Sequence, residues 1–398
     1  MPDEVERYVT VVGDPNDINT WSNIPYFFMR AGQRAGFLDS GLPLKPEKLR
    51  LQRWAWNLWT LLRTGDYGGF QYSPYFLDRL WGQVETNPDA DEFISHFPLL
   101  PPEPAERGYR VSYYLDATLT QNFEDYGVAA NVSPPVRERA LEQERRNYHH
   151  ADHLIGMSEW TARSFVEDYD ISAEKVHVVP GGANLREEDL PEVVKSAAPK
   201  DLQPLRLGFI GKNWQRKGLP FLLDIADALA ERDVEVEVWA IGPDPCALPA
   251  HTALRPQGFI DKGTELARFV NVVRKLHFGC LFSSIEAFGI SNVECLRLGV
   301  PVLANDVGGI PDTVPDDCGV LFAPESSAET VARRLEAFVD DPAAYRQYRE
   351  RILSTPSQFT WDRAVEQFQE IWAGSRRHTL AAHTSRTTPN ATDSDPGL

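Results

Sequence analysis

From Leu205 onward the chain alternates short apolar runs with amphipathic stretches, and that order admits few folds. Leu205–Ile210 reads as a strand, and Leu219–Glu231 as a helix with Leu222, Ile225, Ala226 and Leu229 on one face. Val234–Ile241 is a strand ending in Gly242-Pro243, and Thr264–Leu276 is helical. Phe278–Ser284 reads as a buried parallel strand. Gly289–Leu298 is a short helix, stopped by Gly299 and followed by Pro301. Val300–Ala304 and Gly319–Phe322 are strands and Ala328–Val339 a helix. Strand–helix alternation of this kind predicts an α/β fold with a doubly wound parallel sheet. Ligands of such sheets sit in the crevice at the carboxyl ends of the strands.

The first half predicts a second sheet of the same type, less regular. Tyr8–Gly13, Glu92–Phe97, Tyr109–Leu115, His153–Met157 and Lys175–Val179 read as strands, and Pro25–Ala35 and Pro135–His150 as helices. The expected organisation is an N-terminal domain over 1–190 with an insertion at about 42–88, then a C-terminal domain over 191–359. The boundary falls in the charged, proline-punctuated stretch Leu185–Pro204. A last helix follows at 360–374, and the Ser/Thr-rich tail 375–398 is expected to be disordered.

Net charge is -18, which makes the surface a poor partner for nucleic acid. No apolar run approaches the roughly 18 residues needed to span a bilayer. The acidic start (Asp3, Glu4, Glu6) argues against a secretory leader. Cys246, Cys280, Cys295 and Cys318 lack metal-type spacing and read as reduced, buried thiols of a cytoplasmic protein.

The chemistry concentrates in Ser284–Leu303. Glu286 stands at a strand exit and faces the crevice. The amides of Phe288, Gly289 and Ile290 open a helix, a position that favours an anion such as a diphosphate. Glu294 falls in the next turn, where its carboxylate suits a vicinal diol such as a ribose. Gly211-Lys-Asn-Trp-Gln-Arg-Lys-Gly218 lies between a strand and a helix. Its glycines let the backbone approach a ligand, and Lys212, Arg216 and Lys217 supply charge for phosphate.

These segments resemble the signature of glycosyltransferase family 4, the retaining nucleotide-sugar transferases of the GT-B fold, with two Rossmann-like domains facing a cleft. The resemblance rests on Glu286 and Glu294 at the family's spacing, Phe288-Gly289, Gly299-Val-Pro-Val302, Val307-Gly-Gly-Ile-Pro311 and Lys217-Gly218. It covers the N-terminal domain in pieces: Asp116, Ser158 and Pro180-Gly-Gly-Ala-Asn184. It implies a donor of UDP or GDP type on the C-terminal domain, with no cofactor and no metal. The implied acceptor is a glycan or lipid-linked molecule entering from the N-terminal side. Arg216 or Lys212 would join Lys217 as diphosphate clamp, with Gly211 beside them. Phe259 and Ile260 would border the base through main-chain groups. Asp116 stands where many members carry histidine. It can hold a sugar hydroxyl or act as a base, but is not expected to titrate near neutrality. Glu286 would act as sugar clamp or as nucleophile. The resemblance also implies that the helix over 360–372 crosses back to the N-terminal domain.

Other features read as structural. Asp89-Ala-Asp91 has the form of a manganese motif, but precedes a strand, and is read as chance. His96 reads as a satisfied structural histidine. The polar loop Gly13–Asn23, with Asp14, Asp17 and Ser22, is read differently, as an expected acceptor or donor contact. The helix carrying Trp54, Trp56, Leu58, Trp59, Leu61 and Leu62 with Arg50, Arg53 and Arg63 suits core packing better than peripheral contact with a membrane. A nucleotide-sugar epimerase of the same fold and a non-catalytic sugar-nucleotide-binding protein remain as alternatives.

Overall fold

A computed structural model describes residues 5–65, 67–87, 91–190 and 201–374. Two six-stranded sheets form the molecule, and every strand pair in both is parallel. In the first, β1 (Glu6–Thr10) lies between β2 (Ser40–Gly41) and β3 (Asp91–Ser95), followed by β4 (Arg110–Leu115), β5 (Leu154–Gly156) and β6 (Val176–Val178). The second places β7 (Leu205–Ile210) between β10 (Phe278–Leu281) and β8 (Val236–Ile241). β9 (Leu254–Gly258) lies outside β8, and β11 (Val302–Asn305) then β12 (Gly319–Phe322) outside β10. In each sheet the order reverses beside the first strand, which opens a crevice at the strands' carboxyl ends.

The buried strands read as apolar runs because helices cover both faces. In the second domain Leu207, Phe209, Leu222, Ile225 and Phe338 close one core, in which Leu219–Ala230 and Ala328–Asp340 pack together. Two strands were too short or too polar for periodicity to find. β2 has two residues, and β9 reads Leu-Arg-Pro-Gln-Gly. Helices Pro74–Trp81, Glu159–Glu167 and Pro342–Ser354 also went unread.

The last helix, Trp361–Trp372, packs on Ile24–Arg34. Phe368 lies 4.8 Å from Phe28 and 4.9 Å from Tyr114, ring centre to ring centre. Trp372 Nε1 donates to Glu92 Oε1 at 2.8 Å. The Gly181-Gly182 turn lies against this helix: a Cβ on Gly182 would sit 2.1 Å from the Trp361 amide nitrogen. Asn184 joins the same seam, accepting from Trp361 Nε1 at 3.0 Å and donating to the Ser22 carbonyl at 2.7 Å.

Three expectations are corrected. The tryptophan-rich helix, Arg50–Thr64, is not core: Thr60 is its one buried residue, and Leu51, Trp54 and Leu62 are exposed. Its backbone is anchored through Trp56 instead, whose ring packs on Phe70 and whose Nε1 donates to the Gly68 carbonyl. Cys246 is exposed, although the other three cysteines are buried. His96 is buried, yet among the described residues neither ring nitrogen makes a well-formed hydrogen bond. Asp89, the 191–200 stretch and the tail after 374 lie outside the described residues. Asp91 is buried at the start of β3, where its carboxylate accepts from the Asn87 amide. Among the described residues no helix is long and apolar enough to cross a membrane.

Candidate active site

Glu286 sits in the loop between β10 and the helix Ile290–Arg297. One carboxylate oxygen, Oε2, collects three partners. Lys217 Nζ lies at 3.1 Å, Arg216 Nη1 at 3.3 Å, and Ser283 Oγ donates at 3.2 Å. Arg216 also donates to the Ile285 carbonyl at 2.6 Å, so its guanidinium is held from two sides. Two close approaches fix this loop. Gly218, at φ 80°, leaves no room for a Cβ, which would meet the Phe282 carbonyl oxygen at 2.2 Å. Gly309 donates to the Glu286 carbonyl at 2.9 Å, and a Cβ there would lie 1.9 Å from the Ala287 oxygen. Glycine is required at both positions because backbone meets backbone.

A cavity of about 480 Å³ opens beside this cluster. Gly211, Lys212, Arg216 and Lys217 line one side, and Phe259, Ile260, Ile290 and Glu294 line another. Phe288 and Gly289 are buried behind it, leaving Ile290 and Ser291 as the part of that helix start that reaches the cavity. Lys212 stands apart from the Glu286 cluster, its Nζ 4.7 Å over the Phe259 ring. Glu294 is fully buried and ion-paired to Lys262 through Oε1. Sequence reading missed Lys262. Its position one residue after the Asp261 that caps the turn at Gly263 was the available signal.

The N-terminal domain closes the cavity with Ile18, Asn19, Ser22 and Asn23. Trp21, Ser22 and Asn23 all have positive φ (38°, 57° and 68°), so this loop is held in a conformation non-glycine residues rarely take. Such strain collects at functional sites. Asp14 and Asp17 do not line this cavity; each caps its own turn, accepting from the amides of Asn16 and Asn19 at 2.9 Å.

Asp116 exits β4 onto a second cavity of about 290 Å³, lined also by Trp21, Tyr72, His96, Phe97 and Asn122. Its backbone is fixed from behind: Thr161 Oγ1 donates to its carbonyl, and Thr118 caps the next helix in a reciprocal pair with Gln121. Burial, reinforced by the Glu286 carboxylate, pushes the Asp116 carboxyl up to about 7. This corrects the expectation that it would not titrate near neutrality. Burial drives His96 the other way, to about 3, so the ring is neutral. Tyr126, whose ring lies 5.4 Å from the Arg216 guanidinium, has its phenol pushed up by burial and by Glu286 and Asp116. Ser158 Oγ donates to the Ala287 carbonyl at 3.3 Å, and Glu159 N to Asp312 Oδ2 at 3.1 Å. These bonds tie the two domains together beside Glu286.

Residues 204–341 match the family model described as Glycosyl transferases group 1. The chain is 26% identical over 244 residues to a D-inositol 3-phosphate glycosyltransferase of Nocardia farcinica, covering 56% of this chain and 53% of that one. The match thus spans about half the length of that relative. Among solved structures, sucrose-phosphate synthase from Thermosynechococcus elongatus superposes with TM-score 0.63 at 17% identity, over 93% of this chain and 98% of that one. HepE of Anabaena in complex with UDP gives 0.60 at 13%, over 93% and 100%. At these identities the likeness shows the fold: two Rossmann-like domains in the GT-B arrangement. Within the matched stretch lie Gly211, Lys212, Arg216, Lys217, Phe259, Ile260, Lys262, Glu286 and Glu294; Asp116, Tyr126 and His96 lie outside it.

Proposed function

We propose that this chain is a retaining, metal-independent glycosyltransferase. It moves a sugar from a nucleoside-diphosphate sugar to a glycan or lipid-linked acceptor. The observation that carries the reading is the Glu286 carboxylate, held by Lys217, Arg216 and Ser283 at the edge of a cavity whose wall carries Glu294 and Lys262. Lys217 and Arg216 are positioned to take up the charge of a departing diphosphate, the part a divalent ion plays elsewhere. They neutralise Glu286, and a bound diphosphate would share them. Glu294, with Oε1 taken by Lys262, keeps Oε2 for a ribose hydroxyl. Lys212 over Phe259 borders the space for base or phosphate. Glu286 then holds the sugar while positive charge develops at its anomeric carbon, and the acceptor hydroxyl attacks from the same face.

The Asp116 cavity suits the acceptor. Its lining has aromatic faces (Trp21, Tyr72, Phe97) for the apolar face of a sugar ring and amide groups (Gln71, Asn122) for hydroxyls, and among the described residues it holds no lysine or arginine. A carboxyl that titrates near 7 can accept the acceptor's proton or hold its hydroxyl.

The same carboxyl favours a second reading, because an epimerase of this fold needs a group that gives and takes a proton at neutral pH. Product analysis separates the two. Incubation with UDP- and GDP-sugars, with and without EDTA, should release free nucleoside diphosphate, with EDTA without effect. Epimer formation without release would establish the epimerase. Chelator-sensitive turnover rescued by manganese would refute the metal-independent mechanism.

A further inference from the structure

The helix Arg50–Thr64 presents its apolar side to solvent. Leu51, Trp54, Leu58, Leu61 and Leu62 follow helical spacing and share one face, and all are exposed: Leu51 82%, Trp54 69% and Leu62 80%. The opposite side, through Trp56 and Thr60, supplies the attachment to the domain. Trp59 is half exposed, with the Arg63 guanidinium 5.2 Å over its ring. A large exposed aromatic and leucine face calls for a covering surface.

Charge identifies the occupant. The chain carries a net charge of -18, yet the stretch from Lys45 to Thr64 holds Lys45, Lys48, Arg50, Arg53 and Arg63 against Glu47 alone. A second copy of this chain would bring the same cations against themselves near a two-fold axis, which is repulsive. An anionic bilayer satisfies both features: leucines and tryptophan enter the acyl boundary, and the flanking cations meet headgroup phosphates. We propose that this face seats the protein on an anionic membrane.

Placement gives the seating a use. The segment that follows the helix supplies Gln71 and Tyr72 to the wall of the Asp116 cavity. A membrane under the helix would therefore lie near the mouth through which an acceptor enters. That consequence rests on the transferase reading; the docking itself does not.

The test is co-sedimentation of the full chain with vesicles of phosphatidylcholine alone or mixed with phosphatidylglycerol. Binding should require the anionic lipid and weaken as salt rises. The triple variant Trp54→Gln, Leu58→Gln, Leu62→Gln should lower the partition coefficient at least about tenfold. The pair Arg50→Gln, Arg53→Gln should remove the preference for anionic lipid. Both should leave hydrolysis of a water-soluble donor unchanged, which also shows that the variants fold. No binding to anionic vesicles would overturn the proposal. So would a dimer, seen by light scattering, that the triple variant dissociates. Vesicle binding by a protein without transferase turnover would sustain the surface and refute the function, so the two failures are distinguishable.

Discussion

The two cavities, one beside the Lys217 turn and one at Asp116, are built on opposite principles. The C-terminal one is a field of charges that arrive already paired: Lys217 and Arg216 on Glu286, Lys262 on Glu294. The N-terminal one contains groups that burial has made neutral or nearly so, Asp116 near 7 and His96 near 3. Paired charges give a preformed site for an ionic ligand, because little reorganises when it binds. Desolvated neutral groups give a site for a hydroxylated ring, whose own hydrogen bonds complete them. The contrast predicts that charge removal hurts the first cavity, while the second responds to pH and to loss of polar atoms.

The largest effect should come from Glu286→Gln. It removes the charge that steadies the anomeric centre and leaves two cations facing each other. Turnover should fall about 10²–10³-fold, with donor affinity changed much less. Steady-state kinetics at saturating acceptor check it; full activity would remove Glu286 from the chemistry. Lys217→Ala comes next. Nucleoside diphosphate binding should weaken by about 1.5–3 kcal/mol. Calorimetric titration with UDP and GDP measures this, and unchanged affinity for both would exclude a diphosphate role. Smaller again, Glu294→Gln should raise the donor Michaelis constant and spare turnover, since ribose binding is uniform along the reaction. Lys262→Ala should do the same through a misplaced carboxylate, by about tenfold. A double variant no worse than Glu294→Gln alone would establish that Lys262 acts through Glu294; additive losses would deny it.

The two cavities also differ in how far sequence exposes them. The strand, turn and helix around Glu286 are contiguous in the chain, and so is the Lys217 turn, so periodicity and glycine placement locate them. The pairing of Glu286 with Arg216 spans 70 residues. It follows from the β7–β10 pairing, which local patterns do not reveal. Lys262 meets Glu294, 32 residues away, because β9 is carried to this edge by the β7–β8 and β8–β9 pairings, equally hidden from local patterns. The N-terminal cavity draws on β1, β3, β4 and the insertion, and its character comes from burial. A lone Asp116 or His96 in a sequence carries an ordinary titration value; only packing moves it. The helix Arg50–Thr64 failed differently. Its apolar residues cover more than one face, and sequence cannot say which of the faces meets protein.

The Asp116 carboxyl gives the next test, with a definite sign. Its ordinary value of 3.8 is raised to about 7 in the fold, so between these values the native state binds more protons than the unfolded state. The Asp116 contribution to stability should therefore fall as pH rises from about 4 to about 7, and level off above. Asp116→Asn carries no such charge. Its stability relative to wild type should grow through that window, reaching about 2 kcal/mol at pH 8 after allowing for partial solvent contact. Denaturant melts at pH 4, 6 and 8 measure the gap. A gap independent of pH would place the ionised carboxylate in comfortable solvation and remove its claim to proton transfer.

The smallest expected change is at His96, and it separates structure from function most cleanly. The ring is packed by Trp21, Phe28 and Tyr114, with centres 5.3–5.6 Å away, and among the described residues neither nitrogen makes a well-formed hydrogen bond, the Tyr114 backbone being the polar group that acts on it. A buried polar group without a partner is destabilising, so a structural histidine here should improve on replacement by an apolar ring of similar shape. His96→Phe should therefore be neutral or stabilising by about 1 kcal/mol. If the nitrogens are instead kept for an acceptor hydroxyl at the cavity wall, the same variant should raise the Michaelis constant for acceptor while donor hydrolysis stays unchanged. A thermal melt and paired kinetics with and without acceptor read both quantities from one protein. Destabilisation by several kcal/mol would mean the nitrogens are satisfied in the folded protein. An unaltered acceptor constant in a stable variant would remove His96 from the acceptor cavity's function and leave Asp116 as its polar centre.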